Sequence, residues 1–154
     1  MKGQDYKTAL VKHLIEMQHQ AVSNARQAME DAQEEANEYG NPKDQYDGFR
    51  NQQIQRKDMF ARQLSKAISN LDVLNRIDLE KKHDVVGYGA LVITDKAIFF
   101  VAIGIGITKF KDEDVDEDVA VISMLVPLFH AMKEKRVGDV FSFNKQEYKI
   151  LDII

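Results

Sequence analysis

The 154-residue chain contains no cysteine. Disulfides, thiol nucleophiles, cysteine zinc sites and thioester chemistry on an enzyme thiol are therefore excluded. The absence fits a reducing compartment, and a cytoplasmic location is the expectation. Long hydrophobic runs are missing too. The most apolar stretch, Ala97 to Ile107 (AIFFVAIGIGI), falls short of the roughly 18 residues of a membrane span, so no membrane partner is expected. Its β-branched and aromatic content suits a buried strand. The opening MKGQDYKTALVKHLIE lacks a continuous apolar core, so no secretory signal is expected. Excess positive charge is also absent: Lys plus Arg is 21 against 25 Asp plus Glu, a net charge of −4. A non-specific DNA coater needs many surplus cations to displace counterions, and this chain has none to spare. What remains, 44% hydrophobic and 30% charged, is the composition of a globular protein.

Two halves differ in pattern. From Gln4 to about Leu79 there is one proline, Pro42, and two glycines, Gly40 and Gly48, all in one short window. Upstream, Leu10, Leu14, Met17, Ala21, Ala25, Ala28, Ala32 and Ala36 recur at steps of three or four, the stripe of an amphipathic helix. Downstream, Phe49, Phe60, Leu64, Ala67, Ile68, Leu71 and Leu74 keep the spacing less strictly. Gly40-Asn41-Pro42 is a stop signal, because Gly suits the position after a helix and Pro cannot continue one. The expectation is two antiparallel helices of roughly 35 residues, about 50 Å each. Residues 1–80 then form a coiled-coil hairpin with its tip near 40–48.

From about Lys81 the period changes. Val85 to Thr94 reads as a strand with a glycine kink, and Lys96 to Lys109 as one or two more. Ile122 to Glu134 carries an apolar face and reads as a short helix. Gly138 to Phe143 and Glu147 to Ile153 read as a closing hairpin turning at Asn144-Lys145-Gln146. Residues 81–154 form a small antiparallel sheet with one short helix, so the fold class is α+β.

Charge is segregated. Between Ala28 and Asp47 seven acids (Glu30, Asp31, Glu34, Glu35, Glu38, Asp44, Asp47) face one base, Lys43. Between Arg50 and Lys66 five bases (Arg50, Arg56, Lys57, Arg62, Lys66) face one acid, Asp58. Interhelical charge pairing on a solvated coiled coil is the plain explanation. An acidic tip entering a metal-containing site, with a basic flank on a nucleic-acid backbone, is the sharper one. The pairing and the modest apolar stripe point to a monomer.

The order of parts and the run Val126-Pro127-Leu128, Ala131-Met132-Lys133-Glu134-Lys135-Arg136-Val137-Gly138-Asp139-Val140 and Glu147-Tyr148-Lys149-Ile150-Leu151-Asp152-Ile153 resemble the bacterial Gre-type transcript cleavage and elongation factors. Gly89-Ala90 stands where that family's first C-terminal strand begins. The resemblance implies an FKBP-like C-terminal domain at the rim of the RNA polymerase secondary channel, with the hairpin passing down it. It implies RNA polymerase and the nascent RNA in its channel as partners, and Mg²⁺ shared with the polymerase as cofactor. Tip acids in such a factor help hold the ion and a water, the two-metal pattern of phosphodiester cleavage, and no stand-alone catalysis is expected. The family reads Gly-Asp-Leu-Lys-Glu-Asn at the tip. This chain reads Gly40-Asn41-Pro42-Lys43-Asp44-Gln45. Asp44 becomes the metal-holding acid, with Asp47 and Asn41 as the other candidate catalytic groups. Arg50, Arg56, Lys57, Arg62, Pro127, Lys135 and Asp139 are the candidate RNA- or polymerase-binding residues. Glu134 and Val126 replace a glycine and a serine of the family pattern.

A non-cleaving regulator of the same channel, or a coiled-coil interaction protein unrelated to transcription, are the alternatives. The acidic run Asp112 to Asp118 lacks the glycine and late glutamate of an EF-hand and reads as a solvated loop. His13, His19, His83 and His130 form no ligand spacing. Gly104-Ile105-Gly106 lacks the rest of a dinucleotide fingerprint and reads as a kinked strand or a tight turn. Tyr39, Tyr46 and Phe49 near the tip read as packing groups.

Overall fold

A computed structural model of the chain describes residues 2–38 and 44–154, with side chains at 2–38 and 48–154. Two long helices come first, α1 (Gln4–Glu38) and α2 (Asp44–Asn75). Six strands follow: β1 (Leu91–Thr94), β2 (Ile98–Val101), β3 (Gly106–Asp112), β4 (Val115–Ile122), β5 (Val140–Phe143) and β6 (Gln146–Ile153). A short helix, α3 (Pro127–Met132), lies between β4 and β5. The architecture is α+β. The chain divides into two compact units, Ile15–Asp72 and Met1–Leu14 with Val73–Ile154.

The first unit is the helical hairpin. Gln18 meets Asn70, and Glu35 meets Arg56, so α2 retreats as α1 advances and the arms are antiparallel. Ala25, Ala32 and Ala36 of α1 and Ala67 of α2 are buried. Each alanine methyl supplies on the order of 0.8 kcal/mol of hydrophobic stabilisation, a fraction of what a leucine gives. Three polar side chains are buried with them, Gln18, Gln53 and Asn70. Met17, placed in the stripe by its spacing, is instead exposed. The face that runs through Leu14, Ala21 and Ala25 passes through position 18, and the Gln18 amide is accepted there because Asn70 Nδ2 donates to its Oε1 at 3.2 Å. Phe49 and Ile68 are likewise exposed on α2.

The second unit is built on one six-stranded sheet of order β3-β4-β2-β1-β6-β5. All neighbours are antiparallel except β2 and β4, which run parallel with Ile98 opposite Val119. Adjacent residues Leu91 and Val92, and Phe99 and Phe100, are all buried, the mark of strands covered on both faces. On one face Val92, Phe99, Val101, Phe141 and Ile150 pack with Phe129 and Met132 of α3. On the other, the start of α1 lies against the β3–β4 hairpin. Tyr6 stands edge-on to Phe110 with ring centroids 5.3 Å apart, and His13 approaches the same ring at 5.4 Å.

Three expected elements differ. The helix expected over 122–134 is confined to Pro127–Met132, because Ile122 closes β4 and the helix starts at the proline. Only Leu91–Thr94 of the expected 85–94 strand joins the sheet. Gly89 takes φ +81 and turns the backbone out of the strand, while Val86 exchanges hydrogen bonds with Glu134 and Lys135 beyond α3. The acidic run is not one loop: Asp112 ends β3 and only Glu113 and Asp114 form an exposed turn. Val115–Ile122 is strand β4, and in its register Asp116 faces Lys111 and Asp118 faces Lys109. Strand alternation sends Glu117 to the opposite face, where Tyr6 Oη donates to Glu117 at 2.7 Å and Lys2 forms an ion pair with it at 3.0 Å. The closing hairpin β5–β6 matches expectation, with Asn144 and Lys145 at positive φ, the left-handed pair that tightens such turns.

Candidate functional site

The three candidate catalytic residues, Asn41, Asp44 and Asp47, lie outside the residues whose side chains are described. On α2 the candidate binding residues follow in order. Arg50 and Lys57 are half-buried and Arg56 and Arg62 are exposed. Arg56 donates to Gln53 Oε1 at 3.2 Å and reaches Glu35 at 3.7 Å. That contact joins the two arms. Lys66 and Arg62 have no carboxylate partner among the described residues. The register explains this. With Glu35 beside Arg56, the acids of α1 stand opposite the tip-proximal part of α2, and positions 62 and 66 fall opposite Ala28 and Asn24. Among the described residues the charge pairing expected from the sequence reduces to one exposed pair, and exposed pairs of this kind contribute little.

Beside these bases runs a groove. One cavity of about 390 Å³ is lined by Gln18, Ala21, Met59, Arg62 and Lys66 among others. A second, of about 380 Å³, continues it over Ala21, Ala25, Ala28 and Phe60. Ala21 and Gln63 line both.

In the sheet unit the motif residues have clear local tasks. Pro127 occupies the first turn of α3 after Val126, whose φ of −85 and ψ of 150 are extended. That is the backbone a residue preceding proline prefers, and proline at the first helical position gives up a donor that would be orphaned anyway. Asp139 Oδ2 accepts from the Arg136 backbone N–H at 2.8 Å. Gly138, at φ +92, donates to the Ile150 carbonyl, and Ile150 donates back to Asp139, so Gly138-Asp139 ties the loop to β6. The Lys135 carbonyl accepts from the Val86 N–H. Glu134 stands at φ 62, the conformation that favours glycine. Leu125, which helical spacing over 122–134 places on the apolar face with Leu128, Phe129 and Met132, is instead 88% exposed, because it lies before the start of α3 at Pro127.

Among the described residues, Lys7, His83, Tyr6 and Glu117 of the sheet unit are shifted. Lys7 is fully buried and donates to the Ile154 carbonyl at 3.1 Å. Burial lowers its pKa, Lys81 adds to the fall, and Asp78 opposes it. Burial with the neighbouring Lys7 and Lys81 charges holds His83 down at about 4, against the pull of Asp78. Burial and the hydrogen bond to Glu117 raise Tyr6. Glu117 is pushed up by burial, but the bonds from Tyr6 and Lys2 and the Lys2 charge outweigh this and lower it. Among the described residues no cluster of three or more histidines and carboxylates is arranged to hold a metal ion.

No protein-family model matches the chain. No curated protein matches it either. Among solved structures the chain is similar to that of the transcription factor Gfh1, at 19% identity and a TM-score of 0.35, over 90% of this chain and 92% of that one. It is also similar to GreA factor homolog 1 (Gfh1) of Thermus thermophilus, at 17% identity and a TM-score of 0.34, over 94% and 92% of the two chains. Likenesses this low assign neither fold nor activity.

Proposed function

We propose that the chain is a Gre-like regulator of RNA polymerase that enters the secondary channel hairpin first and meets nascent RNA there. One observation supports this reading above the others: the order of parts. Helices of 35 and 32 residues precede an α+β unit whose α3, Gly138-Asp139 turn and β6 are formed by the segments that resemble the Gre-type factors. Arg50, Arg56, Lys57 and Arg62 on α2 would meet RNA or polymerase along the channel. Pro127, Lys135 and Asp139 would meet the polymerase at the rim.

Asn41, Asp44 and Asp47 offer only hard oxygen donors, the type that suits Mg²⁺. Asp44 would be the principal holder and the other two would assist. The ion, shared with the polymerase, supplies activation of water for phosphodiester cleavage. Asn41 carries no charge where the family has an acid, and this favours a second reading: a factor that binds the channel without cutting.

The test uses 3′-labelled nascent RNA in a stalled, backtracked complex of the cognate polymerase. Mg²⁺-dependent release of short 3′ fragments by the wild type, lost in Asp44→Ala, is the result expected of a cleavage factor. Binding in a parallel pull-down without release gives the non-cleaving regulator. Neither release nor binding ends the transcription reading.

A further inference from the structure

The groove on the hairpin has no occupant in the fold. Its floor is Ala21, Ala25 and Ala28 with Phe60, and its α2 rim carries Arg62 and Lys66. No carboxylate lines either cavity, although acids outnumber bases in the chain. Both rim cations lack an ion partner among the described residues. Met59 on the rim is 40% exposed, and Met17, 37% exposed, shares the α1 face of Ala21, Asn24 and Ala28 by its spacing. Lined positions on α1 run from 18 to 28, about 15 Å of helix or nearly three turns.

We propose that this groove receives a third helix from a partner protein, apolar along the ridge that faces the alanines and acidic on the flank that faces Arg62 and Lys66. Alanine floors let helix axes approach at the close end of the usual 8–10 Å. The methionines adapt to the ridge that arrives. The exposed amide of Gln63 borders the same groove and offers a donor and an acceptor to its polar edge, while Gln18 and Asn70 beneath it are buried and bonded to each other. A nucleic-acid backbone would satisfy the two cations but leave the apolar floor against phosphate and sugar. The chain's own acids at 30–38 cannot fill the role within one hairpin, since they lie on α1 beyond the groove. The proposal does not depend on polymerase binding.

The probe is a capped helical peptide with a Leu/Ala ridge and Glu flanks, set against its Lys-for-Glu counterpart and a single-stranded oligouridylate. Binding to the full ¹⁵N-labelled chain is followed by fluorescence anisotropy and amide shifts. The expected result is saturable binding of the acidic peptide with shifts at Ala21, Ala25, Ala28 and Gln63. Arg62→Glu with Lys66→Glu, both exposed and without an ion partner among the described residues, should weaken it roughly tenfold at an unchanged melting temperature. Ala21→Leu, which fills the floor, should weaken it independently of charge. The proposal is overturned by absent or non-saturable binding, by binding that survives the charge reversal, or by shifts elsewhere. It is overturned as well if oligouridylate takes the groove and the peptide does not. Sedimentation equilibrium provides one more arm: a dimer with these amides covered would make a second copy the occupant.

Discussion

Inside the hairpin Asn70 donates its side-chain amide to Gln18 at 3.2 Å, and both residues are buried. Two bonded amides in a seam of small apolar residues and one further buried amide, Gln53, do more for register than for stability. A slip of either arm would strand both groups without partners. Asn70→Ala should therefore destabilise the protein by about 1–3 kcal/mol, because Gln18 is left buried and unpaired. The paired change Gln18→Leu with Asn70→Leu should recover most of that loss and blur the register. Urea melts measure the first effect, and interarm distances between spin labels measure the second.

Glu134 holds a left-handed backbone at φ 62, and Lys145 does the same at φ 64 in the β5–β6 turn. A side chain in this region costs about 1 kcal/mol, which glycine avoids. Glu134→Gly and Lys145→Gly should each raise stability by roughly that amount, observed as higher denaturation midpoints. Gly89→Ala should do the opposite. Its φ is +81, and a Cβ there would sit 3.4 Å from Ile77 Cγ2.

His83 is held at about 4 by burial and the charges of Lys7 and Lys81, with Asp78 opposing. Its native pKa lies below the ordinary value of 6.5. As pH falls through that ordinary value the unfolded chain takes up a proton that the native chain refuses. Stability is then lost progressively from about pH 6.5 down to about 4. His83→Gln should flatten this slope in denaturant midpoints taken across that range. Asp78→Asn should extend the loss to lower pH, since removing the opposing acid lowers the native His83 pKa further.

Tyr6 and Lys2 both hold Glu117, at 2.7 and 3.0 Å. Tyr6→Phe should cost about 1–2 kcal/mol, with Lys2 still in place as a partner. Glu117→Ala should in addition release the start of α1, seen as faster amide exchange over residues 4–9. Glu117 has a lowered pKa, so its share of stability is present above the ordinary carboxylate value of 4.5 and fades as pH falls below it.

The sequence carried the long helices, the final hairpin and the change of period near residue 80, because each has a strong local cause. Proline and glycine were confined to one window of the helical half, and Asn144-Lys145 sat between alternating strands. Gln18 and Asn70 were not legible as core, since nothing local says that two amides 52 positions apart will satisfy one another. The acidic run was misread for a related reason. Its strand character comes from lysines on β3 opposite Asp116 and Asp118, a tertiary partner that overrides poor local propensity. At the candidate site, residue type and spacing announced the basic stripe of α2. Arg62 and Lys66 lacking acids across the hairpin depended on register, which only the packed arms set.

The place of β6 in the sheet has a kinetic consequence. It lies between β1 and β5, and Val92 pairs with Ile153. Lys7 reaches across 147 positions to Ile154. The two helices of residues 15–72 form on local contacts, the kind that form fast, and their arms meet within that span. The sheet instead needs an interior strand from the far end of the chain, and the opening residues of α1 belong to that slower unit. During synthesis the opening of α1 thus waits for β6, while the hairpin between them is already able to close.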